Sequence, residues 1–130
     1  MGTRSLTTVY DAEQTPLVTL YRQYDGYPRG HGQELADFLR PVTLVNGMTD
    51  TTPPRAANGM GCLAAQLVAH FKREIGHFYL YPPGTTDAGQ DYDYHIRPRD
   101  HGTLDLVVYC GMDRIWQGPV ADYDATQIGE

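Results

Sequence analysis

Two segments rich in Thr, Val, Leu and Tyr, Ser5 to Tyr10 and Leu17 to Tyr21, are separated by the polar stretch "DAEQTP". That pattern predicts a β-hairpin. Over Gly32 to Leu39 the spacing of Leu35, Phe38 and Leu39 becomes helical, Glu34 lies in the first turn where it complements the helix dipole, and Pro41 stops the run. A longer helix is predicted over Met60 to Ile75. There Leu63, Leu67, Phe71 and Ile75 recur at i+4 steps, and Cys62, Ala65 and Ala69 allow close approach. Residues 45–61, "VNGMTDTTPPRAANGMG", read as a long polar loop within the domain.

After Gly76 the period returns to two. "HFYLYPP" and "DYDYHI", joined by Gly84-Thr85-Thr86-Asp87-Ala88-Gly89, predict a second hairpin, with Phe78 and Leu80 on one face of the first strand, Tyr79 and Tyr81 on the other, and Tyr92, Tyr94 and Ile96 sharing a face of the second. "TLDLVVYC" and "RIWQG" flank Gly111-Met112-Asp113 and predict a third hairpin or a sharp bend, while 122–130 read as a loosely held tail. There is no internal repeat. Strands grouped in hairpins, with two helices, point to a single α+β domain over residues 1–130 built on an antiparallel sheet, and away from Rossmann or P-loop architectures.

Charge then narrows the function. Lys+Arg 10 against Asp+Glu 16 gives a net charge of −6 and a pI near 5.2, so the surface as a whole repels DNA and RNA polymers. Lys72 is the sole lysine, and the other basic residues are arginines, suited to two-pronged grips on phosphate or carboxylate. Ten tyrosines outnumber three phenylalanines and one tryptophan, which favours half-wet surfaces that stack and hydrogen-bond. Cys62 and Cys110 are expected as two buried thiols in a reducing cytoplasm. No apolar run suits a membrane span, and the N-terminus carries neither a secretory core nor a myristoylation signal.

Candidate chemistry is sparse. In "RAANGMG", Arg55, Asn58 and two glycines precede a helix N-terminus; this is either an anion site or a glycine-rich helix start with Asn58 as cap. Gln90 and Asp91 stand where an amide or carboxylate could read a base edge, and Arg97, Arg99 and Arg114 could meet phosphate. The tyrosine-rich strands admit plain sheet packing as readily as a stacking surface. His31, His70, His77, His95 and His101 show no metal-ligand spacing, and no nucleophile motif is present, so neither metal, cofactor nor catalytic group is expected. The turn-rich stretch "LYRQYDGYPRGHGQELADFL" carries more tyrosine, arginine, histidine and glycine than a strand-to-helix connection needs.

That stretch, with "NGMGCLAAQLVAHFK" and "FYLYPPGTTDAGQDYDYHI", resembles the first of the phage Thoeris anti-defence sponge families, over about Arg4 to Trp116. The resemblance implies a protein that captures, without cleaving, the cyclic ADP-ribose isomer made by bacterial TIR-domain enzymes. It further implies a second site for cyclic oligonucleotides, dimers that associate into hexamers, and work in the cytoplasm of the infected host. On it, Phe78 or Tyr81 is the aromatic plate, Gln90 or Asp91 the base-edge partner, Arg114 the pyrophosphate partner, and Arg55 with the start of the second helix the oligonucleotide site. Tyr24 to His31 is then a rigid flap or an inter-subunit contact. The family's asparagine contact has no counterpart, because this chain's asparagines are Asn46 and Asn58. Rival readings are an enzyme that degrades a nucleotide signal through Asp91 and His95, and a protein-binding phage accessory protein.

Overall fold

The computed structural model describes residues 2–128. Two hairpins form at turns the sequence marks. β1 (Ser5–Tyr10) pairs antiparallel with β2 (Pro16–Arg22), and β7 (Leu104–Cys110) with β8 (Asp113–Pro119) across the Gly111 turn, where φ is +62°. Thr43–Val45 (β3) and Ala56–Asn58 (β4) form a small parallel pair that brackets the tip of the polar 45–61 segment. The helices are α1 (Gln33–Leu39), entered through a wide helical turn over Pro28–Gly32, and α2 (Gly59–Phe71).

β5 (Phe78–Tyr81) and β6 (Tyr92–Pro98) do not form the expected hairpin. β5 adds antiparallel to the outer edge of β2, and β6 pairs parallel with β1, giving the order β5-β2-β1-β6-β7-β8. α2 delivers the chain beside β2. Pro82 and Pro83 lack the amides that an immediate return strand would use. Residues 82–91 therefore cross the sheet to reach β6, held by the Gly84 amide on the Thr19 hydroxyl (3.0 Å) and the Asp91 amide on the Arg4 carbonyl (2.9 Å). The fold is α+β with a mostly antiparallel six-stranded sheet and two α-helices among the described residues, as expected, but that sheet includes one parallel pair.

The helices cover one sheet face. Leu63 and Leu67 of α2 pack with Val9, Leu20, Tyr94, Ile96, Leu106 and Val108, all buried. Each such aliphatic side chain contributes roughly 1.5–3 kcal/mol. α2 ends at Phe71, short of the expected Ile75, whose side chain is 98 % exposed. Lys72 leaves helical geometry, and its ammonium donates to the carbonyls of Gly76 (3.0 Å) and Phe78 (2.8 Å). Gly76 and His77 then reverse the chain with φ of +76° and +66°. Those local hydrogen bonds outweigh the one further apolar turn that the i+4 pattern offered.

Two more expectations are corrected. The 122–130 segment is packed as far as Ile128: Tyr123, Ala125 and Ile128 join the core, and the Asp124 carboxylate accepts from the Thr126 amide (3.0 Å), closing the turn Ala125–Gln127. Gly129 and Glu130 lie outside the described residues. Both cysteines are exposed, Cys62 on the outer side of α2, and Cys110 at the end of β7, where the strand runs out into the Gly111 turn. Both thiols of Cys62 and Cys110 should accordingly react with a disulfide reagent in the native protein within minutes. A slow phase limited by unfolding would contradict their exposure.

Candidate functional site

The helix-free face of the sheet carries a cleft. Register places Thr8 and Tyr10 of β1 beside His95 of β6 and Tyr109 of β7 on this face, with Asp93 next along β6. Residues 84–86 of the crossing segment overhang them, and Gly111 closes one end, leaving a cleft of about 200 Å³. The His95 ring meets Tyr10 edge-on at 5.3 Å and lies 5.2 Å from Tyr109. Burial, with the nearby Arg97 charge, holds the His95 imidazole down at about 4, so it is neutral near pH 7. The Arg97 guanidinium lies over the Tyr10 ring at 4.0 Å and its Nε donates to Gln14 Oε1.

Asp93 is the cleft's carboxylate. Burial pushes its pKa above the usual carboxylate value, and a hydrogen bond from Gln90 pulls it back only in part. No cation pairs with Asp93 among the described residues. Gln90 Nε2 reaches both carboxylate oxygens (3.1 and 3.3 Å) and the Thr86 carbonyl (2.8 Å), while Gln90 Oε1 accepts from the Ala88 amide (2.7 Å). Gln90 thus fixes the overhanging turn and aims Asp93. The cleft as a whole offers acceptors and aromatic walls, and suits a flat group that carries N–H donors.

The residues nominated from the sequence divide between the two faces. Tyr81 lies on the cleft's side of the sheet with its ring 5.3 Å from Tyr21. Arg114 is exposed and directly opposite Tyr109 in the β7–β8 pairing. Asp91 accepts from the Arg4 amide at 2.9 Å and so ties the crossing segment to β1. Phe78 lies on the helix side, buried against Phe71 (5.5 Å) and His77 (4.4 Å), with the Arg22 guanidinium 5.1 Å from its ring centre. Arg55 is exposed there beside Asp37, Phe38 and His70. Asn58 stands at the N-cap of α2 without a side-chain cap bond, and accepts instead from the Gly47 amide at 2.8 Å. Those residues do not converge on one pocket.

Sequence reasoning missed Thr8, Tyr10, Asp93, His95 and Tyr109 as a group. One signal was available, since Asp93 and His95 are i and i+2 on a strand and so share a face. Their union with Tyr10 and Tyr109 depends on β6 lying between β1 and β7, which no local pattern specifies.

The ornate 20–39 stretch is anchored from within. Fully buried His31 bridges the Thr7 hydroxyl (2.6 Å) and the Arg22 Nη1 (3.2 Å). Because guanidinium only donates, His31 Nδ1 accepts and Nε2–H donates to Thr7. The Tyr94 hydroxyl donates to the Gly26 carbonyl (2.8 Å) and the Tyr123 hydroxyl to the Pro28 carbonyl (2.9 Å). Of the stretch's own side chains Arg22 and His31 belong to this buried network, and Tyr24 and Arg29 are exposed.

Among the described residues no group of three His, Cys, Asp or Glu could hold a metal ion, and no helix is long and apolar enough to cross a membrane. No known family, curated protein or solved structure matches the chain.

Proposed function

We propose that the protein is a phage anti-defence sponge that binds, without cleaving, the cyclic ADP-ribose isomer signal of bacterial Thoeris immunity in the cytoplasm of the infected cell. The resemblance of three sequence segments supplies the reading, and one structural observation supports it most: a half-buried carboxylate, Asp93, without a cationic partner among the described residues, in a cleft walled by Tyr10, His95 and Tyr109. An adenine ring against Tyr109 would direct its exocyclic amine to Asp93, and Arg114 opposite Tyr109 would meet the pyrophosphate. Capture in this manner requires no chemical step.

Magnitudes bear on assembly. Nanomolar capture needs about 12 kcal/mol. One stack contributes about 1–3 kcal/mol, and each charge-assisted hydrogen bond about 1.5–3 kcal/mol. A cleft of about 200 Å³ takes a base and leaves most of a dinucleotide outside. Enclosure by a second subunit supplies the remaining contacts, so the proposal includes a homodimer able to associate into hexamers. A cyclic-oligonucleotide site at Arg55 and the start of α2 belongs to the same proposal.

Its test mixes purified protein with the cyclic ADP-ribose isomer, removes free ligand, denatures the complex by heat and identifies what is released. Intact signal in near-stoichiometric amount is expected. Asp93→Asn and Tyr109→Ala should each weaken retention at least tenfold with the melting temperature little changed. An altered nucleotide, formed by substoichiometric protein, would establish an enzyme instead. Absence of retained ligand would leave a protein-binding role.

A further inference from the structure

We propose a separate oxyanion site on the helix side of the sheet, with Arg22 as its floor and Arg73 as its rim, taking the phosphate or carboxylate group of a small molecule. Arg22, Phe71, His70, Arg73, His77 and Phe78 line a cleft of about 310 Å³ between the end of α2 and the β2–β5 edge. It opens on the face opposite Asp93 and does not depend on the proposed nucleotide cleft.

Arg22 carries the argument. Its side chain is only 5 % exposed, yet it borders the cleft. Its Nε donates to the Tyr24 carbonyl, and Nη1 serves both His31 Nδ1 (3.2 Å) and Glu34 Oε2 (3.1 Å). The two N–H groups of Nη2 have no hydrogen-bond partner among the described residues, Nη2 is not a sealed, unsatisfied atom, and Arg22 lines the cleft. A buried guanidinium with one end of its fork open is a ready partner for an oxyanion.

The surroundings reinforce the sign. Arg73 spends only its Nε, on the His70 carbonyl (3.0 Å), leaving both terminal nitrogens without a partner among the described residues. Burial, with the Arg73 and Arg55 charges, lowers the proton affinity of His70 against the opposing pull of Glu34. His31 beneath Arg22 stays neutral, so at the floor of the cleft Arg22 carries the positive charge. Glu34 and Glu74 are the carboxylates that line the cleft. Glu34 grips Arg22 through one oxygen and is 52 % exposed, so it competes with the anion without closing the site.

The probes are inorganic phosphate and acetate, titrated into the full chain while the ring signals of His70 and His77 are followed by NMR. Saturable shifts at millimolar phosphate are expected; a matching response to acetate would show that the site takes either oxyanion, and a response to acetate alone would assign it to carboxylates. Arg73→Gln and Arg22→Lys should each weaken binding at least fivefold. Glu34→Gln, which removes the competitor on the exposed side, should tighten it at least threefold, so the idea remains testable even if the Arg22 variant fails to fold. Asp93→Asn should leave it unchanged. No response to either anion, or equal affinity in wild type, Arg73→Gln and Glu34→Gln, overturns the site.

Discussion

Acidification from pH 7 to pH 4 is expected to destabilise the protein steeply, with His31 as the main cause. Burial, then the charges of Arg22 and His77, pushes this imidazole down to about 3, against 6.5 for the free side chain. Protonating it in place would remove the acceptor that Arg22 uses and set two cations 3.2 Å apart. Below pH 6.5 the unfolded chain therefore takes up a proton that the native chain refuses. The stability is complete above that value and is lost progressively as pH falls toward 3, amounting to on the order of 5 kcal/mol. His95, held at about 4, acts in the same direction but is partly solvated, so its share is smaller. Asp93 acts in opposition, since its raised pKa lets the native state bind a proton early.

Domains of this size are stable by roughly 5–15 kcal/mol. A loss on that scale should bring the urea midpoint down sharply between pH 6.5 and pH 4. His31→Gln should start from a lower stability at pH 7 and show a flatter slope. A wild-type midpoint that stays level over that range would disprove the account of His31.

The second large effect concerns the C-terminal segment. Tyr123→Ala should cost about 3–5 kcal/mol, the range for deleting a buried aromatic ring. Tyr123 is 3 % exposed, meets the Trp116 ring edge-on at 5.0 Å, and its hydroxyl holds the Pro28 carbonyl. Its own carbonyl accepts from Arg40 Nη2 (2.9 Å), so the ring and backbone fasten the chain end to both the Pro28–Gly32 turn and α1. Tyr123→Phe keeps the ring and leaves the Pro28 carbonyl without this donor, for a smaller cost of about 1–3 kcal/mol. Urea unfolding of both variants separates packing from hydrogen bonding. A change below about 0.5 kcal/mol for Tyr123→Ala would restore the picture of a loosely held tail.

Those two residues also show where sequence reading stops. His31 lies among turn-forming glycines, and Tyr123 among small and acidic residues, so neither sits in an apolar period that announces burial. Each depends on a partner far along the chain, Thr7 for His31 and Pro28 for Tyr123. The exposed Ile75 is the reverse case: it keeps the i+4 spacing of α2, but Lys72 and Gly76 end the helix first. For the candidate sites the division is similar. Gln90, nominated from its turn, hydrogen-bonds Asp93, while Asp93 with Tyr10 and Tyr109 came together only once β6 was seated between β1 and β7.

By itself the sequence determined the elements whose signals are local: the β1–β2 and β7–β8 hairpins, the core stripe of α2 through Leu63, Leu67 and Phe71, and the α+β class. Side-chain period and turn chemistry act within a few residues, so they specify which face a strand presents. They do not specify which strand lies alongside. The tertiary structure alone decided that β5 joins β2, that β6 runs parallel to β1, and that residues 82–91 cross the open face above Asp93 and His95. Those choices depend on competition for sheet edges and on the reach of connecting chain, which are properties of the whole molecule.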